Sequence, residues 1–180
     1  MEINIENVKA TYKEANAAEK KMLRSLFLDF DKIFSVTERI KTLVDAIREL
    51  GSKHPLVENL ADLKPGDENL TAFAQLRIIC AALNEGWVSK PGNVSYYPVF
   101  KFFTEAEVKE MGNKTAEALY IIEPKFDTDF VAVDYSFSAK SETDSSCLRL
   151  KVPELARYCG TQFINIWMNY LLPIKKDEVI

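Results

Sequence analysis

Apolar positions recur every three or four residues through the first half of the chain, and every second residue in several segments of the second half. The first period marks helices with one buried face and the second marks strands. Ile5, Val8, Tyr12 and Ala15 fall at helical spacing. Asn16, with Glu19 three residues on, then has the form of an N-cap and its reciprocal partner. A second helix therefore starts near Ala17, with Met22, Leu23, Leu26, Phe27 and Phe30 on one face. Ser35-Val36-Thr37-Glu38 is a capping box. Behind it Val36, Ile40, Leu43, Val44, Ile47 and Leu50 form one apolar stripe, which predicts one helix that Gly51 ends in a left-handed conformation. Arg39, Lys41, Asp45, Arg48 and Glu49 fall mostly on its solvated side.

His54-Pro55 and Lys64-Pro65-Gly66 make 52–66 a loop with at most a short helical turn, and 64–67 is the best boundary in the chain. Asp67 caps a helix over 68–85. Leu70, Phe73, Leu76, Ile79, Cys80 and Leu83 line one face of it, and Ala74, Ile78 and Ala82 leave the rest nearly apolar, the pattern of a helix covered on most sides. Arg77 is its one internal charge. Two readings stay open for it: burial against a carboxylate of the sheet, or an aliphatic stem that carries the charge to water.

After Asn84-Glu85-Gly86-Trp87 the period changes. Gly86 is placed to end the helix by turning left-handed, and Trp87 to pack back where the sheet departs. Tyr97, Val99, Lys101 and Phe103 alternate with Pro98, Phe100 and Phe102 in an aromatic strand whose Pro suits a strand start or an edge. Thr104-Glu105-Ala106-Glu107 caps a short helix that Gly112 closes. Strands follow at 119–122 and 130–137, joined by a turn at 127–129, then a polar loop over 139–146 and a short strand over 147–151 with Leu148 and Leu150 on one side. Pro153 opens a final helix with Leu155, Cys159, Phe163, Ile166, Trp167, Tyr170 and Leu171 as its buried stripe, and Pro173 stops it.

These elements predict an α+β fold: a helical N-terminal part over 1–66, an α+β core over 67–172 and a mobile tail over 173–180, together one compact domain. The core combines a central buried helix, an antiparallel sheet of three to four strands and a C-terminal helix packed on the sheet. No internal repeat and no low-complexity run interrupts this plan.

With 180 residues, 47% hydrophobic and 28% charged, the chain can bury roughly 70% of its unfolded surface. Disorder needs fewer apolar residues than this. The formal charge of −4 argues against a protein whose main work is neutralising phosphates, though it leaves room for a local basic patch. The opening residues carry no secretion signal and no apolar run is long enough to span a bilayer, so a cytoplasmic, non-membrane protein is expected. Cys80, Cys147 and Cys159 are odd in number and lack ligand spacing, as buried reduced thiols do. A zinc site from these three with His54 is the weaker reading.

The string Phe73-Ala74-Gln75-Leu76-Arg77-Ile78-Ile79-Cys80-Ala81-Ala82-Leu83-Asn84-Glu85-Gly86-Trp87, followed by Tyr96-Tyr97-Pro98-Val99-Phe100-Lys101, is similar to a family of small uncharacterised proteins from gut anaerobic bacteria and their phages. Glu19 to Phe27, Glu38 to Leu43 before Leu50-Gly51, Leu148 to Lys151, and Glu154 to Phe163 fit the same pattern. The family usually has a second Trp where Val99 stands, an Arg near Cys147, and an aromatic or glycine-rich loop where this chain has Lys140 to Ser146. The resemblance implies a fold and a phage or mobile-element setting; it carries no activity and no site residue.

Catalytic patterns are sparse. The single imidazole is His54, beside Pro55 and without a GxSxG elbow, and neither GxGxxG nor GxxxxGK[ST] occurs. No catalytic residue, metal ligand or cofactor is therefore assigned. Glu123-Pro124-Lys125, with Asp127, Asp129 and Asp134, resembles the carboxylates and lysine of a Mg-dependent nuclease, although Pro124 interrupts the strand that should present them; a solvated hairpin tip is the competing reading. Trp87, Tyr96, Tyr97, Phe100, Phe102 and Phe103, near Lys90 and Lys101, offer a stacking platform for single-stranded nucleic acid, or simply half a core. The leading expectation is a non-enzymatic interaction or accessory module that binds a protein partner or itself, with Tyr96, Tyr97 and Lys101 as candidate binding residues. Single-stranded nucleic-acid binding is the alternative and the nuclease the second alternative.

Overall fold

The computed structural model describes residues 4–26, 30–64, 66–111, 118–142 and 147–175. Helix α1, Ile5–Glu14, begins at Asn4, whose side chain accepts from the Glu6 and Asn7 N–H groups. Helix α2, Ala17–Leu26, has the expected reciprocal cap: Asn16 Oδ1 accepts from the Ala18 and Glu19 N–H groups at 3.0 and 3.1 Å, and the Glu19 carboxylate accepts from the Asn16 N–H at 2.8 Å. The chain then forms a 3-10 turn, Phe30–Ile33, where the buried Phe30 ring meets Tyr12 and Phe34. Phe27, Pro65, Gly112 and the loop residues 143–146 lie outside the described residues, as does 176–180 of the expected tail.

The helix expected behind Ser35 is in fact two. The Ser35–Glu38 capping box is present, but α3, Val36–Arg39, stops at once, and α4, Leu43–Leu50, starts from a second capping box between Thr42 and Asp45. The break lets Ile40 drop fully into the core and leaves Val44, assigned to the apolar stripe, 62% exposed. Backbone carbonyls freed by the break are taken from far away in the chain. Tyr158 places its hydroxyl 2.6 Å from the Ile40 carbonyl and 3.0 Å from that of Thr37, and Gln162 Nε2 donates to the Lys41 carbonyl at 2.9 Å. Burial, with the nearby Cys159 and Asp45, pushes the Tyr158 hydroxyl up to about 12, so it remains a donor.

Gly51 caps α4 with the expected positive φ, +89°, but its ψ of 148° lies outside the left-handed helical region. The segment read as a loop holds a full helix, α5, Pro55–Ala61, because Pro55 suits the first helical position and His54 Nδ1 accepts from the Leu56 N–H at 3.2 Å. Asp67 caps α6, Glu68–Asn84, whose Leu76, Ile78, Ile79, Cys80 and Leu83 are fully buried. Arg77 is half-buried with its guanidinium 5.9 Å over the Phe73 ring, which fits a stem laid along the helix rather than a buried ion pair.

Strands β1, Ser95–Thr104, β2, Tyr120–Ile121, and β3, Phe130–Ser141, form an antiparallel sheet in the order β1-β3-β2, with the capped helix α7, Glu105–Glu110, between the first two in sequence. Strand β3 runs past its expected end into the segment read as loop. Between the pairs Val99–Phe137 and Lys101–Asp134 it carries one extra residue, a bulge in which Asp134 Oδ1 accepts from the Ser136 N–H and hydroxyl. The strand expected over 147–151 is reduced to one bridge, Leu150 with Tyr96, their N–H and C=O groups exchanging bonds of 2.8 and 2.9 Å.

The final helix is also two, α8, Pro153–Gln162, and α9, Ile164–Leu171, separated at Phe163, whose φ of −115° and ψ of 29° leave the helical region. Helix α8 packs on β1 and β3, and α9 on α6. The first residues of the expected tail pair with the 125–127 turn, through Asp127 N–H to the Pro173 carbonyl and Lys175 N–H to the Lys125 carbonyl. One hydrophobic cluster unites α6, the sheet, α8 and α9. No helix among the described residues is long and apolar enough to cross a membrane.

The end of α6 is where these layers are tied. Glu85 caps it in the left-handed conformation, φ +50°, and Gly86 follows at +85°. Trp87, expected to pack back, is half-buried and not among the residues of the core cluster. The anchor is Asn84, 5% exposed: its Nδ2 donates to the Arg149 carbonyl at 2.7 Å and its Oδ1 accepts from the Lys151 N–H at 3.0 Å. Next to it the Glu85 carboxylate meets Lys151 at 2.7 Å and Arg39 at 2.6 Å, and Arg39 also pairs with Glu49.

Replacing Asn84 by Ala strands two backbone groups, so unfolding free energy is expected to fall by about 2–4 kcal/mol. Urea denaturation checks this; a loss below about 1 kcal/mol would mean that other contacts hold the 149–151 segment. The Lys151 hydrogen bond, then the Lys151 and Arg39 charges, hold the Glu85 carboxyl below the usual carboxylate value. A depressed folded value contributes stability above the unfolded pKa, and that stability is lost as pH falls through the folded one. Wild type should therefore lose more stability than Glu85→Gln on going from about pH 6 to about pH 3, by a margin that shrinks in salt because the carboxylate is partly exposed. Parallel pH profiles for the two proteins would remove Glu85 as the cause.

Candidate functional site

The outer edge of β1 is covered only at its start. Beyond the Tyr96–Leu150 bridge a cleft of about 220 Å³ opens between this edge and the C-terminal helices. Strand β1 contributes Tyr97, Pro98 and Phe100, the segment before the bridge contributes Leu148 and Arg149, and α9 contributes Trp167 and Leu171. An apolar cavity of about 150 Å³ accommodates benzene. The cleft thus has room for one ring or one branched side chain, with little to spare.

Each wall is set by a contact described above. Asn84 grips the Arg149 carbonyl and the Lys151 N–H, while Leu150 between them pairs with Tyr96, so the Arg149 backbone is pinned on both sides. Its side chain, 9% exposed, lies with the guanidinium 4.1 Å from the centroid of the Tyr97 ring, a close cation–π stack. The break at Phe163 starts α9 anew, and Trp167 meets Phe100 with ring centroids 5.4 Å apart. Trp167 is 5% exposed, and its indole N–H has no hydrogen-bond partner among the described residues. Leaving such a donor unmatched costs about 1–3 kcal/mol. Leu171, 41% exposed, forms the mouth.

Chemically the lining is one-sided. Among the described lining residues Arg149 is the only charged one, the indole is a donor only, and no carboxylate, imidazole or thiol is included. Among the described lining residues the Tyr97 phenol is the one group that could act as a nucleophile or base.

Of the candidate binding residues, Tyr97 lines the cleft. Tyr96, its neighbour, is half-buried against the core and engaged through its backbone with Leu150. Lys101 is exposed farther along β1, its ammonium 5.0 Å over the Phe103 ring, and does not reach the cleft. Phe100 and Phe102 pack against the core, and Phe103 is buried. Glu123 and Lys125 sit in a turn and pair with each other at 3.2 Å. Among the described residues no group of three His, Cys, Asp or Glu side chains is placed to hold a metal.

The cysteines divide. Cys80 and Cys159 are buried, and a hydrogen bond between their thiols, with burial, raises Cys80 well above its ordinary value. Cys147, expected to be buried, is exposed, because the segment that carries it is a turn and not a strand. Arg149 and Trp167 escaped sequence reasoning. The one available signal was Leu148-Arg149-Leu150, where two buried leucines flank a cation in a short alternating stretch.

Comparison with protein-family models, with curated proteins and with solved structures finds no match to this chain.

Gly160 fixes the depth of the cleft from behind, since it lets α8 approach Pro98: an added Cβ would stand 2.9 Å from the Pro98 Cβ. Glycine to alanine in a helix interior ordinarily stabilises by roughly 0.5–1 kcal/mol. Here the sign should reverse, because the proline ring cannot swing away, and Gly160→Ala should cost about 1–3 kcal/mol. Thermal or urea unfolding of the variant measures it; a gain in stability would show that the two elements separate freely.

Proposed function

We propose that this protein is a non-enzymatic interaction module that binds a protein partner at the cleft beside β1. The observation that carries the reading is the chemistry of the lining: among the described residues, apolar and aromatic walls around a cation and an unmatched indole donor, with no set of groups for bond-breaking chemistry. The cytoplasm is the proposed location, in keeping with free Cys80, Cys147 and Cys159. A phage or mobile-element setting, implied by the family resemblance, belongs to the same proposal. The self-association form of the reading draws support from α1 and α2, where Met22 and Leu26 stand exposed beside a hollow of about 400 Å³.

Site-specific photocrosslinking in the native host tests it. A benzophenone amino acid at Leu171, in the mouth, should give a discrete protein adduct that is missing when the same group replaces the exposed and remote Lys53. An adduct with a second copy of the chain would identify self-association. The same adduct pattern from both positions, or none from Leu171, would remove the cleft as the binding surface.

A further inference from the structure

Independently of the cleft, we propose that two copies of this chain pair through the free edge of β3, antiparallel about a two-fold axis at Ala139, so that their sheets join into one. In the order β1-β3-β2, strand β2 is only Tyr120–Ile121 and pairs with Val133 and Ala132. Among the described residues, β3 therefore has no strand beside it on that side over 137–141. The direction of its backbone groups there follows from β1. Tyr96 bonds Leu150 on the outer side of β1 through both its N–H and its C=O, and it stands opposite Lys140 in the sheet. Lys140 thus exchanges no bond with Tyr96, and its own N–H and C=O point to the free edge. Those of Ser138 point the same way, since it lies two residues back, opposite Pro98, which has no N–H to give.

A bare edge of this kind is a template for another strand, and natural proteins blunt it with proline, bulges or charge. Here 137–141 holds no proline, and the bulge lies just before it, where the Ser136 N–H is already given to Asp134 Oδ1 at 3.0 Å. The residues that remain are complementary to themselves. An axis at Ser138 would oppose Lys140 to Ser136, whose N–H is taken, and an axis at Lys140 would set two ammonium groups directly opposite, which is unfavourable. An axis at Ala139 has neither fault. Ser138 of each copy then exchanges both backbone bonds with Lys140 of the other, and the two Ala139 methyl groups meet where the strands approach most closely. Phe137, 52% exposed, lies opposite the small Ser141 and diagonal to Ala139 of the other copy, so its ring gains an apolar cover. Each Lys140 keeps its own Glu142 at 3.8 Å, which offsets the charge of the second lysine diagonal to it. The cleft, on the outer edge of β1, stays open in this pair.

The test uses the whole protein. Sedimentation equilibrium should give twice the chain mass, with a Kd of roughly 1–100 µM as suits a small interface. Ala139→Glu and Ala139→Lys each place like charges on the axis, so each alone should raise Kd by about ten-fold or more. An equimolar mixture of the two should restore a dimer, because a carboxylate then faces an ammonium group across the axis. A measurement without substitution stands beside these. In the ¹⁵N-labelled wild type, hydrogen exchange at the Ser138 and Lys140 amides should slow as concentration rises from about 10 µM to about 1 mM, while the Ser136 amide, already bonded to Asp134, stays unchanged.

A monomer at about 1 mM overturns the proposal and leaves the edge to an extended segment of another protein, or to none. A dimer that both charge variants leave intact overturns the edge as its interface and directs attention to α1 and α2. Failure of the mixture to restore what each variant lost overturns the axis at Ala139, as do Ser138 and Lys140 amides whose exchange ignores concentration. These failures are separable from failure of the cleft reading, because the Leu171 photoadduct reports on the opposite edge of the sheet.

Discussion

The carboxamide of Asn84 is the interaction on which the architecture turns. It sits on the last turn of α6, inside the protein, and satisfies a carbonyl and an N–H on either side of Leu150, 65 and 67 residues further along the chain. Leu150 in turn closes both backbone bonds with Tyr96. A single side chain thereby joins the central helix, the segment leading into α8 and the edge strand of the sheet. Such a bracket adds little net energy while complete; its weight lies in the cost of leaving buried backbone groups unmatched. The half-exposed carboxylate beside it, Glu85, extends the tie through Lys151 and Arg39 to α4, but in a medium where salt and water weaken it.

Around that bracket, two helices that periodicity draws as continuous are each interrupted, and both interruptions bring a side chain inward. Stopping at Arg39 buries Ile40, and the carbonyls left over are met by Tyr158 and Gln162 of α8. Stopping at Phe163 re-aims α9 so that Trp167 packs on Phe100 of the sheet and Tyr170 on Phe73 of α6. A helix break costs backbone bonds, and it persists where distant donors restore them or where the packing gained exceeds the loss. The first break is of the former kind and the second of the latter, since Phe163 makes no side-chain cap.

What could be read from the chain alone follows the range of the interaction. The caps at Asn16, Ser35, Asp67 and Thr104 each join residues within four positions, and all of them form as the residue types dictate. The α+β class, the central buried helix and an antiparallel sheet, drawn with three to four strands where three form, were legible from the two periods. Thr42 with Asp45 was a local signal too, overshadowed by an apolar stripe that ran through it unbroken. The bracket was not legible, because an asparagine near a glycine at a helix end reads as a turn residue, and its partners lie across the sheet. For the same reason Tyr97 stood out as a candidate by composition, while Arg149 and Trp167, which complete the cleft around it, depend on folding for their meeting.

Arg149 and the indole of Trp167 differ in a way that bears on how the cleft works. Among the neighbours that hold the first in place are Asn84 at its carbonyl, the Leu150 bridge beside it, and the ring of Tyr97 under its guanidinium. An ordered cation loses little freedom when a ligand arrives, so more of the interaction energy is retained as affinity. The indole donor is the opposite case, a buried polar group left unmatched in the folded chain. Native interiors tolerate few of these, and each one calls for a cause. Its cost is carried here by the packing of the Trp167 ring on Phe100 and Tyr170. The Asn84 bracket then stabilises the fold and fixes the cation in one position, so the strength of binding is coupled to the integrity of the end of α6, away from the mouth where the ligand is met.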